Sequence, residues 1–154
     1  MMNLRVTALL FALCAGGPAA ACEKPADAAG VENEVIALIN AERVRQGLDK
    51  VRRSAVLEKA ADRQACDLAT HGRLSHTGSD GSSMRDRVKG AGYPMRFANE
   101  NIGMGFRSPQ SAVAWWMNSP GHRANLLEPR VRDIGVSVTT SGKVFWVTVM
   151  GESR

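Results

Sequence analysis

The chain lacks any apolar run of the about 20 residues that a membrane-spanning helix needs, Val6–Cys14 being too short, so no transmembrane segment is expected in the mature protein. It has no internal repeat and no low-complexity tract, which argues for one ordinary globular domain. No Gly-x-Ser-x-Gly elbow marks a hydrolase nucleophile, and no His-x-x-x-His pair marks a helical zinc site. Acidic residues do not follow Asp80-Gly81 at the spacing of a calcium loop, so this dipeptide reads as a turn. Lysines and arginines outnumber acids but are dispersed, which excludes the footprint of a nucleic-acid binder. A dispersed cationic surface suits anionic partners such as cell-wall polymers or lipid headgroups, or is simply well solvated.

What is present begins with a targeting pattern. Arg5 precedes the apolar run, and Gly16–Ala21 is rich in small residues ending in Ala19-Ala20-Ala21, so residues 1–21 read as a signal peptide cleaved before Cys22. The expected location is periplasmic or extracellular. Loss of Arg5 takes the formal charge from +5 to +4. Of the three cysteines, Cys22 and Cys66 remain, and an oxidising compartment favours their disulfide. Closing that loop is worth about 4 kcal/mol in the chain-entropy account. The rival is a lipid anchor on Cys22, although Ala19 stands where a lipoprotein signal usually has Leu.

Residues 22–30 read as a Pro- and Ala-containing tether, and residues 31–152 as the domain. Val31, Val35, Leu38 and Ile39 recur at helical spacing until Gly47, with Asn33, Asn40 and Arg43 on the polar side. Ser54 is an N-cap candidate for a second helix through Leu57, Ala61, Ala65 and Leu68 to Gly72. Met84 and Val88 mark a short third helix. Ser108-Pro109 opens a fourth, with Trp116 inward and Trp115 facing cleft or solvent, and Pro120-Gly121 stops it. Strands are expected around 97–102, 134–139 and 144–150, the last two a hairpin through Ser141-Gly142, giving an α+β domain with a small antiparallel sheet beneath helices.

His76 and His122 fall in segments that read as loops, whereas His71 lies at a helix end without a motif. Between them, Asn99-Glu100-Asn101 is a strand segment whose alternation sends the carboxylate to one face and the amides to the other. A buried Glu100 needs partners, and the two imidazoles are candidates.

The ordered series Ser75-His76, Asn99-Glu100-Asn101-Ile102, Ala112-Val113 with Trp116, and Ser119-Pro120-Gly121-His122-Arg123 with Asn125-Leu126-Leu127 resembles the bacterial secreted branch of the CAP family. These are the cysteine-rich secretory, antigen 5 and pathogenesis-related 1 proteins. The resemblance implies a three-layer α-β-α sandwich around a three-stranded antiparallel sheet, and a cleft lined by His76, His122 and Glu100. Where eukaryotic members usually carry a second Glu, this chain has Ser119.

Three uses of the set stand side by side. His76, His122 and Glu100 are of the right types to hold a divalent metal, zinc before others, with an open position. Ser119 or Ser75 with His122 and Glu100 would be a serine hydrolase, although a hydroxyl before Pro-Gly more often stabilises a turn. A buried network would merely hold loops to the sheet. The preferred expectation is a monomeric, non-enzymatic binding module whose cleft, with Ser119, takes a small apolar, lipid, anionic or cell-envelope ligand. The alternative is a metal-dependent or serine hydrolase acting on peptides or envelope material.

Overall fold

In a computed structural model, which describes residues 22–154, the first helix α1 spans Ala28–Arg45 and opens earlier than the apolar spacing suggested. The expected signal peptide lies outside the described residues. The next elements are β1 (Arg52–Arg53), α2 (Ala55–His71), α3 (Met84–Gly90) and β2 (Met95–Met104). They are followed by α4 (Pro109–Asn118), α5 (Pro120–Leu126), β3 (Asp133–Ser141) and β4 (Lys143–Ser153). Local chemistry sets several of these ends. The Ser54 hydroxyl accepts from Leu57 N, and Gly72 ends α2 in the left-handed region at φ 64°. Ser83 with Asp86, and Ser108 with Ser111, form reciprocal caps on α3 and α4.

The sheet order is β1-β3-β4-β2. The expected antiparallel trio is β3-β4-β2, with β3 and β4 joined through Ser141–Lys143. A fourth strand, β1, pairs parallel to β3 over two residues and makes the sheet mixed. Arg52-Arg53 carries no strand pattern. It pairs because the chain passes β3 on its way from α1 to α2, and Arg52 N and Ser54 N find the carbonyls of Arg132 and Ile134.

Helices bury both faces of the sheet, as in the expected three-layer sandwich. Ile134, Val136, Val138, Trp146 and Met150 pack with α1 and α4 residues such as Val35, Ile39 and Trp116. Phe145, Val147 and Val149 pack on the other side with Leu57, Ala61, Leu68 and Val88. On that side β3 presents Gly135, Ser137 and Thr139, so α2 lies almost on the strand backbone. A Cβ at Gly135 would stand 2.2 Å from Leu57 C and Glu58 N. The Thr139 hydroxyl donates to Ala65 O at 3.0 Å.

Arg43, expected on the polar face of the first helix, is fully buried. Its guanidinium donates to Asp49 O (2.8 Å), Leu126 O (2.8 Å) and Glu128 O (3.0 Å), satisfying carbonyls where the chain leaves α1 and α5.

The segment before α1 is tied down. Cys22 is joined to Cys66 of α2, Thr140 N donates to Glu23 O, and Lys24 reaches Asp62 at 2.6 Å and Glu32 at 3.1 Å. In this structure the Cys22 sulfur is bonded to Cys66 and so is not free for a thioether. Among the described residues no helix is long and apolar enough to cross a membrane.

Candidate functional site

After Gly72 the chain enters the loop that carries His76. The Ser75 hydroxyl donates to Thr77 O at 2.8 Å and accepts from Thr77 N at 3.0 Å, and the Gln64 amide donates to Ser75 O. Ser75 therefore shapes this loop. The His76 side chain is 58% exposed, yet its Nδ1 lies 2.8 Å from Glu100 Oε1. A carboxylate oxygen accepts, so Nδ1 is the protonated nitrogen, and Nε2 has no protein partner among the described residues.

Glu100 is 2% exposed, and its second oxygen is taken by Arg87 Nη2 at 2.8 Å. Arg87 is equally buried and also donates to Ser82 O (3.0 Å) and His76 O (3.1 Å). The sequence reading missed this arginine. Its phase was visible, since Met84, Arg87 and Val88 share one helix face, but an arginine on a short helix ordinarily reads as solvated.

His122 comes from the opposite helical layer. Pro120, read as a stop, occupies the first turn of α5, so His122 is helical and not in a loop. Its Nδ1 lies 2.9 Å from Ser119 Oγ, and its ring is 4.9 Å from that of Trp115, which is itself 5.3 Å from Phe106. Burial holds its pKa below the ordinary histidine value, and the charge of a protonated His76 lowers it further.

Strand alternation distributes β2 as expected. Glu100 faces α2 and α3, while Asn99 donates to Asn125 O (3.1 Å) and Asn101 to His122 O (3.0 Å) on the α5 side. Asn125 returns bonds to Asn101 Oδ1 at 2.8 Å and Glu100 O at 3.2 Å. Because β2 is an edge strand, the two histidines approach that edge from opposite faces.

The expected His-Glu-His trio is thus two separately anchored imidazoles. Glu100 orients His76 and not His122, so Ser119, His122 and Glu100 do not line up as a nucleophile, base and orienter. Among the described residues no three His, Cys, Asp or Glu side chains group so as to hold a metal ion. Both Glu100 oxygens are engaged, one by His76 and one by Arg87.

The profile of the cysteine-rich secretory protein family, CAP, matches residues 36–150, a stretch that holds His76, Glu100 and His122. The chain belongs to the CAP family.

It is similar to the uncharacterised protein YkwD of Bacillus subtilis, 34% identical over 128 residues that cover 83% of this chain. The chain spans 50% of YkwD's own length. The fold is shared with an extracellular SCP-domain protein of Bacillus anthracis at TM-score 0.77 and 24% identity, over 82% of this chain and 41% of that one. It is shared also with an outer surface protein of Borrelia burgdorferi at TM-score 0.74 and 22% identity, over 79% of this chain and 92% of that one.

Elsewhere in this CAP domain, His71 bonds Asp67 O of its own helix at 2.9 Å, a helix-end role. Asp80 accepts from Ser82 N at 2.9 Å and pairs with Arg63, and Gly81 has φ 80°, so Asp80-Gly81 is the expected turn. Trp116 is buried with Nε1 donating to Ile102 O at 3.0 Å, while Trp115 remains 43% exposed beside His122.

Proposed function

We propose that this CAP domain is an exported, monomeric binding module without turnover, whose cleft at the β2 edge captures a small apolar or anionic ligand between His76 and His122. The observation behind this reading is that each imidazole is fixed through Nδ1 by its own partner, Glu100 or Ser119, with Nε2 left for a ligand. Exposed Trp115 beside His122 and exposed Leu74 two residues before His76 suit an apolar ligand portion. Export is supported by the disulfide and by the resemblance to a protein described as extracellular.

The same reading extends to a divalent ion. The two Nε2 atoms would hold it, zinc being favoured by imidazole donors, and Glu100 would serve as the carboxylate that orients His76. Bound there, the ion would supply an electrophilic point for an anionic group. The lowered pKa of His122 keeps that ring neutral, the form that ligates.

Zinc calorimetry on the mature protein beside His76→Ala, His122→Ala and Glu100→Gln tests this. One ion per chain is expected, lost in either alanine variant and weakened about 10- to 100-fold in Glu100→Gln, as for other orienting partners. Absence of binding to the parent protein overturns the metal part. Ester or peptide turnover lost in Ser119→Ala overturns the non-enzymatic reading.

A further inference from the structure

At the sheet edge opposite the cleft, two cavities meet at Lys50. One, of about 640 Å³, is a groove along α1 bordered by Ile36, Ala37, Ala41 and Val44, with Asn33 and Asn40 on the same helix. The other, of about 230 Å³, is bordered by Lys50, Arg52 and Arg132. Val44 is 52% exposed, an unusual degree for a large apolar side chain in this domain. The apolar groove therefore ends at a cationic corner.

The cations there are only partly neutralised. Lys50 has no ion-pair or hydrogen-bond partner among the described residues, and it is exposed. Arg132 donates to two backbone carbonyls, Pro129 O at 2.6 Å and Val131 O at 3.0 Å, and meets no carboxylate among the described residues. Arg52 uses Nε on Asp133 at 2.6 Å, and Asp133 also accepts from the Tyr93 hydroxyl at 2.6 Å. These bonds fix both guanidiniums in place while leaving other N–H groups of each free, so binding an anion there costs less ordering entropy than at floppy arginines.

We propose that this corner and the adjoining groove dock the domain onto an anionic phospholipid bilayer. Phosphate headgroups meet Lys50, Arg52 and Arg132, and the acyl boundary meets Val44 and the Ala37–Ala41 face of α1. An exposed apolar strip beside clustered basic side chains is the surface chemistry of peripheral membrane contact. The sheet order β1-β3-β4-β2 places Arg52 on one edge and Glu100 on the other, so a docked domain turns its imidazole cleft away from the bilayer.

The test is co-sedimentation of the mature, oxidised protein with vesicles of phosphatidylcholine containing about 30% phosphatidylglycerol, against phosphatidylcholine alone. Binding to the anionic vesicles is expected, falling as salt is raised. Lys50→Glu weakens it at least about fivefold, the weight of one basic side chain at such a surface. Val44→Asp also weakens it, and His76→Ala leaves it unchanged. Lys50 has no partner to lose among the described residues, so its variant keeps the fold, as an unchanged melting temperature verifies. Equal binding to both vesicle types, or no effect of Lys50→Glu, overturns the proposal. Release by millimolar inorganic phosphate at constant ionic strength also overturns it, by assigning the corner to a free phosphate anion.

Discussion

Replacing Glu100 by Leu removes the carboxylate that faces Arg87 and strands a guanidinium that is 1% exposed and has no other carboxylate partner among the described residues. Breaking a buried pair from one side costs about 3–5 kcal/mol. Whole domains are stable by about 5–15 kcal/mol, so this is a large share of the total. At roughly 4 °C per kcal/mol for a domain of this size, the melting temperature falls by about 12–20 °C. Arg87→Met carries a similar cost, because it isolates Glu100 except for His76 and removes the donors to Ser82 O and His76 O. The double variant removes both charges together, and its cost falls short of the sum by about 0.5–3 kcal/mol. Urea unfolding under non-reducing conditions measures all four proteins, with a constant slope confirming a common denatured state. Single costs below about 1 kcal/mol, or strict additivity, would refute the argument that the pair anchors the His76 side of the cleft.

Three further outcomes follow from other parts of the structure. His122 should titrate by NMR below the ordinary histidine value, and move back towards it in His76→Ala as the neighbouring charge disappears. Because its folded pKa is depressed, the unfolded chain binds more protons across that window; stability is present above about pH 6.5 and is lost as pH falls through the folded pKa, and His122→Gln should flatten this slope. Reduction of Cys22–Cys66, or the double Ser variant, should lower unfolding stability by about 4 kcal/mol, while a thiol assay on unreduced protein comprising residues 22–154 finds no reactive thiol. Gly135→Ala should destabilise by about 1–3 kcal/mol or more in the same urea assay, since its methyl meets the α2 backbone and not a movable side-chain tip.

The elements with strong local chemistry were legible in the sequence: the Ser54 cap, the Ser108-Pro109 start, the hairpin at Ser141-Gly142 and the two-way alternation of Asn99, Glu100 and Asn101. Arg43 and Arg87 were not, because burial of an arginine is decided by which carbonyls and carboxylates converge on it from distant segments. Pro120 misled, since proline both ends one helix and suits the first turn of the next. Strand β1 has no pattern of its own and exists by proximity to β3. His76, Glu100 and His122 could be singled out from their motifs, but their partners could not, because only the third dimension shows Glu100 committed to Arg87 and His76.

The two hydrophobic cores share the sheet but not their side chains, and the edge strand β2 holds His76 through Glu100 on one face and the His122 carbonyl through Asn101 on the other. A ligand bridging His76 and His122, as proposed above, would clasp two packing units together. Its affinity would depend on how far apart the outer helical layers sit, since a shear of α5 relative to the His76 loop would change the gap to be spanned. For such a ligand, occupancy and cooperativity between the cores would be one quantity, seen equally as tighter binding in a stiffer domain or slower amide exchange in an occupied one.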